Sequence, residues 1–130
     1  MITLITTLGW ILIPLGFIHV IFPRYFRWRE ELPKLQLINR ELMVVHTFFI
    51  ALMVILIGLL CISSARELVE TALGRRICGG LAIFWGCRLA AQFLGYSTEL
   101  WRGKTFETVM HVVFTLLWVA LTTVFAVAAF

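Results

Sequence analysis

Apolar residues fill four long runs of the chain, residues 2–22, 42–62, 77–95 and 106–130, and polar residues gather in the segments between them. Each run is close to the roughly 20 residues that carry a helix across about 30 Å of hydrocarbon at about 1.5 Å per residue. The pattern predicts four transmembrane helices in one transmembrane domain over residues 1–130. Short connections between them favour antiparallel neighbours. The expected fold class is therefore all-α, an integral membrane four-helix up-down bundle. The first run has no charge before Arg24, a long apolar core and no small-residue cleavage site, so it reads as a retained helix rather than a secretory signal peptide. Asn39 is a natural N-cap for the second helix. Between the second and third runs, Ser64-Ala65-Arg66-Glu67 has the form of a capping box and predicts a short interfacial helix that Gly74 ends.

Within the first run Gly9, Leu12, Gly16 and His19 share one helical face, where small residues let a neighbouring backbone approach. Pro14 predicts a bend near the middle of that helix. The two halves of the chain also resemble each other. His19 precedes Trp28-Arg29 by the spacing at which Gln92 precedes Trp101-Arg102, and His46 aligns with His111, Phe49 with Phe114 and Leu52 with Leu117. Two duplicated helical hairpins related by an axis along the membrane normal would follow, with His46 and His111 facing each other across it.

Composition agrees with the pattern. The chain is 62% hydrophobic and 14% charged, with a mean hydropathy of +1.00, whereas about a quarter of a soluble domain is charged. The expected environment is the lipid bilayer. Charge then sets orientation. Seven basic residues, Arg24, Arg27, Arg29, Lys34, Arg40, Arg102 and Lys104, fall at the end that holds the first and third connections, against Arg66, Arg75 and Arg76 at the other. The first end is expected to be cytoplasmic, which puts both termini outside the cytoplasm of a bacterial inner membrane. A net charge of +4 suits anionic headgroups, and no nucleic-acid partner is expected. The mixed aromatic and basic segment from Pro23 to Lys34 is expected to lie in the headgroup layer. Three cysteines make no disulfide framework, although Cys61 and Cys78 approach the same end and a bridge between them is conceivable.

The candidate chemistry lies in the last two runs. Glu107 and His111 are four apart, and Thr115 and Thr122 continue their stripe along an otherwise apolar helix. Ionisable residues at the centre of a span cost about 2.5 to 3.5 kcal/mol by insertion scales, so each needs a partner inside the protein or a water-filled cavity. Arg88 and Gln92 share a face of the third helix, and the Arg88 guanidinium wants a carboxylate, for which Glu107 is the best placed and Glu41 the alternative. His19, His46, Gln92 and His111 all fall near one depth, beneath Tyr96 and Trp101. His19, His46, His111 and Glu107 form a candidate transition-metal set. His46 and His111 would otherwise hold a haem b iron from both sides. A quinone or lipid headgroup held by the histidines, Gln92 and Arg88 beneath Tyr96 and Trp101 is the third candidate. The polar groups pairing among themselves to fix helix register is the alternative to any of these.

Pro23-Arg24, Trp28-Arg29-Glu30, Arg40, Phe48-Phe49-Ile50 and Phe84-Trp85 with Arg88 and Gln92-Phe93 together resemble an uncharacterised family of small four-helix bacterial integral membrane proteins. The resemblance spans most of the chain and implies the architecture, with no activity, cofactor or partner attached. The leading expectation is a membrane protein that binds a metal ion, haem or quinone, with electron transfer as one use. The others are a non-catalytic subunit or assembly factor of a larger membrane complex, and a small oligomeric channel or transporter with a proton or ion relay. No enzymatic reaction follows from the residues.

Overall fold

The computed structural model of the chain describes residues 1–94 and 103–130. Among these residues every regular element is helical: α1 (Ile2–Ile18), α2 (Phe22–Tyr25), α3 (Trp28–Glu31), a 3₁₀ turn (Leu32–Lys34), α4 (Leu37–Ser63), α5 (Ala65–Glu70), α6 (Ala72–Leu94) and α7 (Thr105–Ala129). Three of them, α4, α6 and α7, are long and apolar enough to cross a membrane, and α1 is a shorter apolar helix. With 17 residues, α1 is about 26 Å long at 1.5 Å per residue. These apolar helices mark an integral membrane protein in contact with lipid. The chain divides into two compact units, one of Ile5–Ala65 and one of Arg66–Phe130 with Met1–Leu4.

In the first unit α1 and α4 meet backbone to backbone. A Cβ placed on Gly9 would lie 2.7 Å from the carbonyl oxygen of Gly58, and one on Gly58 would lie 2.9 Å from that of Gly9. A Cβ on Gly16 would collide with the Ile55 side chain and come within 2.9 Å of the Ala51 carbonyl oxygen. The expected small-residue face of α1 is therefore its buried face, with Gly9, Leu12 and Gly16 all inside. Lipid gives helices no hydrophobic reason to associate, so contact this close is where van der Waals attraction can hold a pair together.

α1 stops at Ile18 although the apolar run continues. The His19 ring explains it: Nδ1 donates to the carbonyls of Leu15 and Gly16 at 3.2 and 3.1 Å, and competes with the helix for them. From His19 to Phe22 the backbone closes i to i−3 bonds instead, and the imidazole rests on Phe22, centroids 4.7 Å apart. The segment after it is more ordered than an interfacial loop. Pro23 opens α2, where its missing N–H costs nothing. Arg27 then takes the left-handed conformation, φ 54° and ψ 50°, and its carbonyl receives the N–H groups of Glu30 and Glu31 to start α3. That turn buries Trp28.

α4 begins at Leu37, with Gln36 at the N-cap and no side-chain cap bond. Asn39 lies inside the first turn rather than before it. The first N–H groups of a helix starting near solvent can be satisfied from outside, so a capping side chain is not what selects this start.

In the second unit α5 ends at Glu70 and α6 starts two residues later. Gly74 does not end a helix, as its type suggests. It sits in the first turn of α6, where a Cβ would run into the backbone of Glu67 and Leu68. The cap is Thr71, whose Oγ1 accepts from the Gly74 N–H at 2.9 Å while donating to the Glu67 carbonyl at 2.6 Å. The Cys78 thiol donates to the Leu68 carbonyl at 3.6 Å and ties α5 to α6. No disulfide joins Cys61, Cys78 or Cys87. The long contact of the unit is α6 against α7.

Glycine positions separate the close contacts from the loose ones. Gly58→Ala is expected to lose about 1 to 3 kcal/mol of stability by overpacking against Gly9. Gly80, which has nothing within 4 Å of its Cβ position, should tolerate alanine and gain up to about 1 kcal/mol of helix propensity. Reversible unfolding of the purified chain in mixed micelles measures both, and a Gly80→Ala loss as large as that of Gly58→Ala would contradict the contact.

Candidate functional site

The polar centre of the second unit is one amide. Gln92 lies on α6, is 6% exposed, and reaches α7 with both ends of its side chain. Its Nε2 donates to His111 Nδ1 at 3.2 Å and to the His111 carbonyl at 3.2 Å. Its Oε1 receives Trp118 Nε1–H at 3.4 Å and Arg88 Nη1–H at 3.5 Å. A glutamine amide has two donor and two acceptor positions, and all four are used. Left without partners in an apolar interior, such an amide costs on the order of 2 to 7 kcal/mol.

These contacts also fix the protons. Indole and guanidinium groups only donate, so the side of the amide facing Trp118 and Arg88 is its oxygen. The nitrogen side then faces His111, and Nδ1 must be the acceptor. The ring proton of neutral His111 is therefore on Nε2. A metal-bound histidine normally donates from its other nitrogen to an acceptor. Here a donor stands opposite Nδ1, so coordination through Nε2 would require the amide to turn and give up Trp118 and Arg88.

Stacking supports the same group. Trp118 lies against Trp85, centroids 5.3 Å apart and planes 11° from parallel, and against Phe114 at 5.6 Å and 17°. The Arg88 guanidinium carbon is 4.9 Å from the Trp118 ring centroid. A cation over an indole face is worth about 0.5 to 2 kcal/mol. The partners shown for Arg88 include an amide oxygen and a ring face. Glu107 is half-buried in the first turn of α7, where a carboxylate suits the positive end of the helix dipole. Thr115 and Thr122 donate to the carbonyls of His111 and Trp118, each at 2.7 Å, so their stripe is satisfied within α7.

His111, with Phe93 edge-on to it at 5.9 Å, forms part of the wall of a shallow groove of about 200 Å³ that Val112, Thr115 and Leu116 complete. The groove is apolar apart from the imidazole and the Thr115 hydroxyl.

Arg88, Gln92 and His111 are brought together as candidate site residues. His19 and His46 belong to the first unit, His19 engaged with its own helix and His46 exposed on α4. Tyr96 and Trp101 lie outside the described residues. Among the described residues no group of three or more His, Cys, Asp or Glu side chains is placed to hold a metal ion. The chain matches no protein-family model, no curated protein and no solved structure. Sequence reasoning overlooked Trp118 as the hub of the cluster, although its spacing of seven from His111 puts it on the same face.

Trp85 is 2% exposed, and among the described residues its indole N–H has no hydrogen-bond partner. Trp85→Phe keeps the stack and removes that stranded donor, so its stability is expected to stay within about 0.5 kcal/mol of the parent. Trp118→Phe takes a donor from Gln92 and should cost about 1 kcal/mol more. Paired unfolding curves check the order, and Trp85→Phe proving the more damaging would contradict it.

Proposed function

We propose that this chain is a small membrane protein that binds a lipid-soluble carbonyl compound, a quinone in type, against α7 beside His111. The observation that carries the proposal is the contact of Gln92 with His111 on the wall of an apolar groove: the amide nitrogen donates to Nδ1, which leaves the neutral ring's proton on Nε2. A quinone carbonyl accepts a bond from that Nε2–H, whereas a metal ion or haem iron at Nε2 wants the opposite tautomer. The groove's 200 Å³ falls short of the roughly 300 to 1,000 Å³ usual for a whole ligand. A quinone needs only its head enclosed, because an isoprenoid tail can lie in lipid along Val112 and Leu116.

In this reading α1 is a fourth crossing, and α1, α4, α6 and α7 form an up-down bundle of two related hairpins. It also puts both termini outside the cytoplasm of a bacterial inner membrane, with the architecture that the resemblance to the uncharacterised four-helix family implies. Electron transfer, within a homo-oligomer or a larger membrane complex, is the use such a site would serve.

Titration of the purified chain with a short-tailed quinone, read by quenching of tryptophan fluorescence, tests the proposal. Saturable one-to-one binding is expected, weakened about tenfold in His111→Phe, which keeps an aromatic ring but loses the donor. No saturable binding, or equal binding by His111→Phe, would overturn it.

A further inference from the structure

We propose a second site, in the first unit, that takes an acidic phospholipid. An open, shallow depression of about 480 Å³ lies where α3 and the 3₁₀ turn meet the start of α4, with Trp28, Leu32, Pro33 and Val44 as apolar floor and Arg29 and Arg40 at its sides. The walls are almost wholly apolar, yet the two charged residues among them are both cationic. Among the described residues neither guanidinium makes a side-chain hydrogen bond or ion pair. Glu30 and Glu41, their sequence neighbours, are absent from the lining, and Glu31 is occupied by Lys34 at 3.3 Å.

Depth agrees with charge. The 27 residues of α4 run about 40 Å, some 10 Å more than the hydrocarbon layer. Arg40, in the first turn, therefore belongs at headgroup level, and Val44 one turn further in belongs at the top of the acyl region. An occupant must be anionic at the level of the arginines and apolar just below them, and a phospholipid with a net negative headgroup has that form. The chain turns through a left-handed Arg27, and Trp28, which follows it, is buried and lines the depression. Basic residues that merely hover over anionic headgroups need no such depression.

The test is native mass spectrometry of the full chain in detergent, titrated separately with phosphatidylglycerol, with phosphatidylcholine of the same acyl chains, and with glycerol phosphate. One phosphatidylglycerol is expected to bind, about tenfold more tightly than phosphatidylcholine, and glycerol phosphate should not bind at the same concentrations. Arg29→Gln with Arg40→Gln should weaken phosphatidylglycerol about tenfold, while Arg66→Gln with Arg76→Gln should leave it unchanged. Val44→Trp, which fills the depression and alters no charge, should weaken it as well, and serves if the double arginine variant fails to fold. Equal binding of the two lipids, binding of glycerol phosphate alone, or a Val44→Trp chain that binds as the parent does would each overturn the proposal.

Discussion

A polar group in an oily interior must find all its partners inside the protein, and in the second unit the Gln92 side chain meets that demand completely. Two donors and two acceptors on one amide join α6 to α7 and reach His111, Trp118 and Arg88 together. The consequences spread outward. The imidazole is fixed in orientation and, as the neutral ring, in tautomer, the indole is fixed against Trp85 and Phe114, and the guanidinium gains a ring face and an oxygen in a place where an unsupported cation would be costly. Shape alone would let two apolar helices slide or turn against each other. The amide admits one register.

The first unit solves the same problem by other means. α1 and α4 carry few polar side chains into their contact and rely on missing ones, with Gly9 against Gly58 and Gly16 against Ala51 and Ile55. Bringing backbones this close gains dispersion over many atoms at small loss of side-chain freedom. One pair of helices is thus joined by close approach and the other by polar and aromatic side chains. The weak sequence similarity of the two halves does not extend to how each pair is held.

The long helices were legible in the sequence because length and apolarity are what a bilayer demands of a helix. The glycine face of α1 was legible for the same reason, since spacing alone reveals it. Gln92 and His111 stood out as polar residues in apolar helices, but their pairing with Trp118 did not, because an indole in a membrane helix is ordinarily read as apolar bulk. Local stop and start signals were the least reliable. Gly74 looked like a helix end and serves as a close-approach point; Asn39 looked like a cap and lies within a turn. His19 ends α1 through its side chain, which no propensity scale anticipates. The depression beside Arg29 and Arg40 follows a left-handed Arg27, a conformation that glycine or asparagine would have signalled and arginine does not.

The claim on which most rests is that the amide of Gln92 holds His111 with its proton on Nε2. Nitrogen-15 NMR of the chain labelled at histidine, with His111 assigned by loss of its signals in His111→Phe, observes this directly. The account predicts an unprotonated Nδ1 and a protonated Nε2 for His111 in the parent, and an exchanging mixture of tautomers once Gln92 is replaced by leucine. A protonated Nδ1 in the parent, or a tautomer that Gln92→Leu leaves unchanged, would contradict it.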